Sequence, residues 1–181
     1  MPSGRQPAPG GLRLVQAFVN TTNRERGDDA LDRPDGLGLL LADFELDGGG
    51  TAVTLSDRER AKELREAFRA LLVSNTHGLE DPAAARATIE RCSHAAHLSV
   101  RLTAPPTLEP LVGGVDGLLG RLVGIAYTAM ADGSWARLKA CRRAACNWAF
   151  YDHSRNHSGA WCSMQYCGNR TKTRAYRRRH R

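Results

Sequence analysis

Two short stretches near the C-terminal end decide the fold: residues 141–146 read Cys-Arg-Arg-Ala-Ala-Cys, and residues 162–167 read Cys-Ser-Met-Gln-Tyr-Cys. Fifteen residues separate the two pairs, so the loop between them is long enough for each pair to approach a shared metal ion from its own side. Thiolates suit zinc, which is borderline-soft and imposes no geometry of its own. Two disulfides, or four unrelated buried thiols, are the alternatives. We predict one structural Zn²⁺, bound by Cys141, Cys146, Cys162 and Cys167.

The chain after Cys167 is rich in arginine. Gly168 and Asn169 favour a turn followed by a helix N-cap. If the residues that follow are helical, arginines at i, i+4, i+7, i+8 and i+11 share one face, with a lysine beside them. The predicted DNA-binding residues are Arg170, Lys172, Arg174, Arg177, Arg178 and Arg181. The alternative is a solvated basic tail, because like charges one turn apart destabilise a free helix.

The positive charge of the chain is concentrated at this end. The whole sequence has 26 Lys and Arg against 19 Asp and Glu, a net charge of +7. From Arg137 onward there are 12 basic residues and one acidic residue, Asp152, which leaves 14 against 18 upstream. A local patch of that density is typical of proteins that contact phosphate backbones. Arginine also binds phosphate through paired hydrogen bonds and can read guanine edges, so the pattern predicts DNA as the partner.

A longer run of residues around the cysteines resembles a known family. The sequence reads WARLKAC over 135–141, CNWAFYDHSRN over 146–156 and WCSMQYCGNR over 161–170. This run is similar to the CGNR zinc-finger family, whose namesake tetrapeptide corresponds to Cys167-Gly168-Asn169-Arg170. Family membership implies zinc and DNA binding.

In that family the finger usually follows a domain called ABATE, which occurs in bacterial stress-induced transcription regulators. Residues 14–22 read LVQAFVNTT, which resembles the Phe-Val-Asn-Thr signature near the start of that domain. The match departs from the family pattern at Gln16, where an apolar or small residue is expected. The resemblance implies a regulatory N-terminal domain joined to a DNA-binding finger.

The length of the chain fits two unequal parts. We expect a disordered N-terminus over residues 1–11, an ABATE-like regulatory domain over 12–133 and a CGNR-type finger with a basic C-terminal helix over 134–181. A first domain of this size can bury its own core, whereas a tail of about 45 residues needs a metal to fold. We therefore expect zinc removal to unfold the tail and to leave the first domain intact.

The first domain is predicted to be mainly α with a small β-hairpin. Helical patterns cover residues 12–23, 30–43, 81–96 and 116–131, and a further helix begins at Ser56 with an apolar face that runs to Leu72. Ser56 and Glu59 fit a capping box, and Pro82 fits the first position of the fourth helix. Alternating apolar residues over 98–102, followed by Pro105-Pro106 and a return over 107–112, predict the hairpin.

Other kinds of site find little support in the sequence. Residues 113–120 lack the spacing of a dinucleotide or nucleotide-phosphate loop, so we expect no enzymatic activity. Cys92 is interpreted as a core residue. His153 and His157 lie between the cysteine pairs and are the rival ligands, although exposed loop positions suit them better when four thiolates are present.

The sequence thus predicts a zinc-finger DNA-binding transcriptional regulator whose N-terminal domain senses an unidentified effector ligand or mediates assembly. The alternative is a zinc-stabilised protein- or RNA-interaction module. Homodimerisation is one form of assembly to expect, because a single short finger reads few bases. No stretch has the roughly 20 apolar residues of a membrane span, and residues 1–11 lack the apolar run of a signal peptide. We expect a cytoplasmic protein, whose reducing surroundings favour metal over disulfides.

Overall fold

Helices form most of the structure, and the strands make only short antiparallel pairs. The computed structural model describes residues 5–42, 53–80 and 82–173. Its α-helices are α1 (Leu12–Val19), α2 (Gly36–Ala42), α3 (Leu55–His77), α4 (Ala83–Ala95) and α5 (Gly114–Ala131). Its hairpins pair β1 (Thr22–Asn23) with β2 (Asp28–Asp29), β3 (Ser99–Arg101) with β4 (Thr107–Glu109), and β5 (Leu138–Ala140) with β6 (Ala149–Tyr151). The mainly α prediction with a four-cysteine C-terminal part is confirmed, and the predicted hairpin is the β3–β4 pair.

A final helix, called the terminal helix below, covers residues 164–173. It begins as a π-turn over Met164–Gly168 and continues as an α-helix to the last described residue. Single-turn 3₁₀ segments occur at Ala30–Asp32 and Ser134–Arg137. The predicted N-cap at Asn169 is wrong, because Asn169 has helical φ and ψ of −66° and −42°. The cap is Ser163, whose hydroxyl accepts a hydrogen bond from the Tyr166 amide at 3.3 Å.

The core forms around α3, the longest described helix. Its inward face buries Leu64, Phe68 and Leu72 completely. The Phe68 ring meets Phe18 of α1 edge-on, with ring centroids 6.5 Å apart, and Trp135 at 5.9 Å. Leu64, Phe68 and Leu72 repeat at helical spacing. The apolar stripe from which α3 was predicted is therefore also the face on which the core packs.

The start of α3 differs from the prediction. Its N-cap is Thr54, two residues before Ser56. The Thr54 hydroxyl accepts from the Asp57 amide at 3.1 Å, and the Asp57 carboxylate accepts from the Thr54 amide at 2.9 Å. Both Thr54–Asp57 and Ser56–Glu59 fit the capping-box spacing. The earlier box prevails because Asp57 also binds Arg60 at 2.5 Å, and Arg60 in turn pairs with Asp116 of α5.

Several other element bounds are shorter than the patterns predicted. The first helix ends at Val19, where Asn20 instead directs its side chain to a distant strand. The second pattern, over 30–43, divides into the 3₁₀ turn at Ala30–Asp32 and α2, since Pro34 cannot continue a helix begun before it. Pro82 is the N-cap of α4 and not its first helical residue.

Residues on both sides of position 134 share one hydrophobic core. The core that contains Phe68 also contains Leu138 and Ala140 of β5 and Ala149 and Tyr151 of β6. Strand β5 packs directly on α3, and β6 contacts α1. The predicted boundary near 134 therefore divides the sequence but does not divide the core.

The N-terminal segment, residues 5–11, packs against the rest of the chain, in contrast to the disorder expected for 1–11. Ala8 is 3 % exposed, and its amide donates to Gln16 Oε1 at 2.7 Å. The Arg5 guanidinium lies 4.6 Å from the centroid of the Phe150 ring. The Pro7 carbonyl lies 3.2 Å from His153 Nε2. These contacts connect the segment to the C-terminal part of the protein.

Within residues 5–42, 53–80 and 82–173, none of the helices combines the length and the apolar composition of a membrane span.

Candidate metal centre

The first cysteine pair lies in the turn that joins β5 to β6. Cys141 follows β5, and its amide donates to the Trp148 carbonyl at 2.9 Å. The chain then turns back, with the Cys146 and Asn147 amides donating to the Arg143 carbonyl at 2.7 and 3.0 Å. Asn147 adopts a left-handed φ of +45°, which asparagine tolerates better than most residues. The turn directs Cys141 and Cys146 to the same side of the hairpin.

The second pair lies at the start of the terminal helix. Cys162 precedes the cap residue Ser163, and Cys167 lies inside the π-turn, where its amide donates to the Ser163 carbonyl at 2.9 Å. The Gly168 amide donates to the same carbonyl at 3.1 Å, which closes the wider i→i+5 ring. This turn brings the two sulfur atoms of the pair to 3.7 Å from each other.

A side chain at position 168 would collide with the turn. A Cβ there would lie 2.7 Å from Met164 Sδ and 3.4 Å from Trp161 Cδ1. Gly168 is buried, and its missing side chain leaves room for the flexible end of the Met164 side chain, while Trp161 packs on the cysteine cluster. The glycine of the Cys-Gly-Asn-Arg tetrapeptide lies within the π-turn of the terminal helix and not in the turn before a helix that the sequence suggested.

The four cysteine sulfur atoms form one compact cluster. All of them lie within 4.8 Å of one another, and all four residues are buried. Cys146 Sγ and Cys162 Sγ are 3.7 Å apart, as are Cys162 Sγ and Cys167 Sγ. A tetrahedron with zinc–sulfur bonds of about 2.3 Å has sulfur–sulfur edges of about 3.8 Å, so this spacing fits a tetrahedral zinc ion. It is too long for a disulfide, whose S–S bond is about 2.05 Å.

The chemistry of the donor set also requires a cation. Hydrogen bonds with Cys146 and Cys162 lower the pKa of Cys141 to about 4. Contacts with Cys141 and Cys146, together with burial, raise the pKa of Cys162. Four buried sulfurs this close cannot all carry negative charge unless a cation compensates them. Zinc supplies that charge and leaves no open position, so the site is structural and not catalytic.

Aromatic side chains cover the cysteine cluster. Phe150 is fully buried beside it, and Trp148 and Trp161 pack around it. These three aromatic residues form a small core around the cysteines. Trp135 differs, because it packs on Phe68 in the main core.

One arginine lies directly beside the sulfurs. Arg143 Nε donates to Cys167 Sγ at 3.3 Å. A zinc ion with four thiolates carries about two net negative charges, so a neighbouring guanidinium offsets part of them. Arg143 Nη2 also lies 2.5 Å from Glu25 Oε2, and Arg170 Nη1 lies 2.7 Å from Glu25 Oε1. Glu25 belongs to the turn between β1 and β2 of the first domain.

The loop between the cysteine pairs is fixed by a buried ion pair. Asp152 is fully buried and Lys139 is 5 % exposed, with Nζ 2.9 Å from Asp152 Oδ2. Burial opposes ionisation of Asp152, but hydrogen bonds from Ser154 and Lys139 keep its pKa well below its usual range. The Gly159 amide donates to the same carboxylate at 2.7 Å. The sequence analysis did not predict this ion pair. Its one sign in the sequence is that Asp152 is the single acidic residue from Arg137 onward.

The histidines of this loop do not join the metal cluster. His153 and His157 are both exposed, and the metal cluster consists of cysteines alone. The His153 ring packs edge-on against Tyr151, with centroids 4.8 Å apart. The His157 carbonyl accepts a hydrogen bond from Lys139 Nζ. Both histidines therefore stabilise the loop.

Polar side chains of the first domain bind the backbone of the cysteine hairpin. Asn20 Oδ1 accepts from the Ala149 amide at 2.8 Å, and Asn20 Nδ2 donates to the Ala149 carbonyl at 2.9 Å. Arg69, 2 % exposed, donates to the carbonyls of Asn147 at 2.8 Å and Val19 at 2.6 Å. The hydroxyl of Thr76 donates to the Ala140 carbonyl at 2.7 Å. Asn20 belongs to the Phe-Val-Asn-Thr signature, so that signature attaches the finger to the first domain.

The predicted DNA-binding residues are only partly described. Arg170 and Lys172 lie on the terminal helix and are exposed. Arg174, Arg177, Arg178 and Arg181 lie outside the described residues.

The first domain contains a cavity of about 410 Å³ between the N-terminal segment, β4 and α5. Its lining includes Leu12, Leu108 and Ile125 as apolar walls, with Arg121 and Asp132 as charged groups. Pro9, Gly10 and Gly11 also line it. The N-terminal segment therefore lines the cavity and also contacts the finger.

The fold and the cysteine geometry together define a zinc-finger protein with a helical N-terminal domain. Residues 12–133 match the ABATE family, described as "Putative stress-induced transcription regulator", and residues 137–180 match the CGNR zinc finger. Because the first match covers most of the chain, the protein belongs to the ABATE family and has a CGNR zinc finger after that domain. A search of curated proteins found no match. The predicted family and the single structural zinc are confirmed.

Proposed function

We propose that the protein is a DNA-binding transcriptional regulator whose terminal helix is the DNA-contacting element. One observation carries the proposal: the helix starts at the zinc site and exposes basic side chains from its first complete turn. The side chain of Arg170 is 59 % exposed, and Lys172 follows on the exposed side. The description of the ABATE family as transcription regulators supports the same conclusion.

The zinc site provides the rigid support that a nucleic-acid contact needs. Cys167 lies within the helix itself, so a bound metal fixes the direction of the helix relative to the hairpin. Contacting elements with a fixed orientation lose less conformational entropy on binding. The remaining predicted contacts, Arg174, Arg177, Arg178 and Arg181, follow Arg170 in the sequence and lie outside the described residues, and we include them in the proposal on the sequence pattern alone.

Tyr166 adds a further feature to this surface. Its side chain is 54 % exposed one turn before Arg170. An exposed aromatic ring beside a basic group suits stacking on a base or packing along a sugar–phosphate backbone. We therefore include Tyr166 in the proposed contact surface.

We further propose that the cavity of the first domain binds the effector. Its volume is suited to a small molecule, and its mixed lining offers apolar walls with Arg121 and Asp132 as polar anchors. The N-terminal segment would communicate effector binding to the finger, since it lines the cavity at Gly10 and contacts the finger through Arg5.

Effector candidates found by thermal shift should slow hydrogen exchange at the Gly10 and Gly11 amides. An effector that leaves this exchange unchanged contradicts the cavity as its site.

The DNA proposal is tested by titrating duplex DNA at several salt concentrations. The variant combines Arg174→Ala, Arg177→Ala and Arg178→Ala, and the matched control combines Arg86→Ala, Arg91→Ala and Arg101→Ala on the exposed surface of the first domain. Removing one arginine that binds a phosphate should reduce the log–log salt slope by about 0.9. The control removes the same charge from a surface that does not face the DNA, so it should change the slope much less.

Competitor RNA in the same titration distinguishes the alternative. If RNA displaces the duplex at equal phosphate concentration, the zinc-stabilised RNA-interaction module becomes the better description. If the finger variant and the control variant behave alike, Arg174, Arg177 and Arg178 are not nucleic-acid contacts. A protein-interaction module then replaces the proposal.

A further inference from the structure

Glu25 joins two arginines of the finger across a long sequence separation. One carboxylate oxygen lies 2.5 Å from Arg143 Nη2, and the other lies 2.7 Å from Arg170 Nη1. Glu25 precedes these arginines by 118 and 145 residues. We refer to these three residues as the Glu25 bridge. Each oxygen has its own arginine, which means that the carboxylate is shared between the hairpin turn and the terminal helix.

The turn that carries Glu25 is well defined. The Asn23 side chain accepts from the Glu25 amide at 3.2 Å and from the Arg26 amide at 3.3 Å. Gly27 closes the turn with φ of +76°, a conformation that favours glycine. Arg24 binds Glu66 of α3 at 2.7 Å, which attaches the turn to the core. The first domain therefore presents the Glu25 carboxylate in a defined position.

Arg143 is positioned by the metal site. Its Nε atom donates to Cys167 Sγ at 3.3 Å while Nη2 faces Glu25. Its side chain is 20 % exposed, so little freedom is left to it, whereas that of Arg170 is 59 % exposed. The finger thus contains one fixed guanidinium and one adjustable guanidinium that converge on a single anion.

Two guanidinium groups that bind separate oxygens of one anion suit phosphate as well as carboxylate. Both anions accept charge-assisted hydrogen bonds from arginine with similar geometry. A phosphate diester also has two free oxygens to offer, as the Glu25 carboxylate does. The Glu25–Arg170 pair is exposed, and such ion pairs contribute little stability in water, so an external anion can compete with Glu25 for Arg170 at small cost.

From these contacts we propose that Arg143 and Arg170 form a phosphate-binding site of the finger, and that Glu25 occupies it as an internal substitute in the DNA-free protein. The inference rests on the proposed DNA-binding function and deepens it. It adds Arg143, which the sequence did not predict as a contact, and it makes Glu25 an inhibitory residue. DNA must displace a carboxylate of the first domain before the finger engages a phosphate there.

Replacing Glu25 with glutamine tests the bridge. Glu25→Gln keeps the shape of the side chain but removes its charge and one of its two acceptor oxygens, which weakens its hold on both arginines, and we expect it to raise duplex affinity about three- to tenfold. Glu90→Gln is the matched control, because it removes the same charge from an exposed position on α4. Zinc content and melting temperature are measured for each variant to show that folding is unchanged. Equal affinities for the two variants would overturn the proposal.

A second substitution identifies the groups that produce the gain. Adding Arg170→Ala to Glu25→Gln should remove most of the gained affinity and reduce the salt slope by about 0.9. Arg86→Ala in the same background is the control. If the gain persists without Arg170, then it comes from overall charge, and the assigned site is wrong.

Pyrophosphate separates this inference from the DNA-binding proposal. Calorimetric titration of the zinc-loaded full-length protein should show tighter pyrophosphate binding by Glu25→Gln than by wild type or Glu90→Gln. If no variant binds DNA but Glu25→Gln gains pyrophosphate affinity, the DNA function fails and the phosphate site stands. If pyrophosphate affinity is the same in all three proteins, the site fails whatever the DNA result.

Discussion

Asn20 illustrates what a single side chain contributes to this structure. Its carboxamide reproduces the two hydrogen bonds of a neighbouring strand, donating to and accepting from Ala149 at 2.9 and 2.8 Å. The sequence pattern placed Asn20 in a family signature but gave no reason for it, because its partner lies 129 residues away. The cysteines were predictable, since their short spacing encodes the metal site locally. Asn20 was not, since only the folded chain brings it to Ala149.

Asn20→Ala should destabilise the protein by about 1–3 kcal/mol, the cost of leaving buried backbone groups without partners. Ala149 is fully buried, so water cannot replace the missing hydrogen bonds. The measurement is urea unfolding followed by circular dichroism. Asn156→Ala, at an exposed loop position, is the control and should stay within about 0.5 kcal/mol of wild type. Similar destabilisation of both variants would show that the side chain of Asn20 does not support the strand.

Gly168→Ala should weaken zinc retention, because the added Cβ would lie 2.7 Å from Met164 Sδ. The contact is with the far end of a flexible side chain, so we expect a cost of about 1 kcal/mol or less, at the lower end of the range for overpacking. Met164 is flexible and 47 % exposed, so adding Met164→Ala should restore retention by removing the clash. Zinc release to a colorimetric chelator measures both variants. A double variant that loses zinc as fast as Gly168→Ala would show that the backbone, and not Met164, requires glycine.

The helices show where local sequence determines an element and where it does not. The stripe of α3 was predictable because helical periodicity requires no knowledge of partners. Its N-cap was misplaced because Thr54 and Ser56 both begin a capping-box spacing, and Asp57 decides between them by binding Arg60. Asn169 was misassigned because the terminal helix already begins after its cap at Ser163. Gly168 and Asn169, which looked like a helix start, therefore lie inside that helix.

Thr54→Ala should cost about 1 kcal/mol of stability, the usual value of an N-cap side chain. Ser56→Ala, at the cap position that the sequence suggested, should cost less. Urea unfolding at neutral pH measures both variants. A larger destabilisation by Ser56→Ala would place the functional cap at the later position.

The capping box also predicts a pH dependence. Hydrogen bonds from Thr54 and Arg60 lower the pKa of Asp57 to about 2, below the usual value of about 3.9. A carboxylate whose pKa is lowered in the folded state stabilises the fold above about pH 4, and this stabilisation is lost as the pH falls towards 2. The difference in unfolding free energy between wild type and Asp57→Asn should therefore be constant above about pH 5 and shrink below about pH 4. A difference that grows on acidification would contradict the assigned pKa shift.

At the scale of the molecule, the finger and the first domain are joined by a common core. Leu138 and Tyr151 of the cysteine hairpin are buried together with Phe68 of α3. Zinc fixes that hairpin at its far end through Cys141 and Cys146, which ties the metal to the packing of the first domain. The sequence suggested separable parts because the composition changes near residue 134, and composition does not reveal which surfaces meet.

Zinc removal should therefore lower the stability of the first domain as well as that of the finger, contrary to the expectation from sequence. With a chelator present, the urea midpoint of the helical circular dichroism signal should fall, because α3 loses the ordered hairpin that covers it. Tryptophan fluorescence should change at the same time, since Trp135 packs on Phe68. A change in fluorescence with an unaltered helical midpoint would show that the two parts fold independently.

Side chains of the first domain form hydrogen bonds with the backbone of the cysteine hairpin, and these bonds limit how the finger can be exchanged between related proteins. A chimaera that exchanges fingers between two relatives at residue 134 would keep the Asn20 amide and the Arg69 guanidinium of one parent but receive the hairpin of the other. These groups bind backbone atoms, so the exchange is tolerated wherever the incoming hairpin keeps its length and register. A one-residue insertion between Cys146 and Ala149 would displace the Asn147 and Ala149 carbonyls and remove the hairpin acceptor of the buried Arg69. Recombination would therefore tolerate changes in side-chain chemistry here far better than changes in loop length.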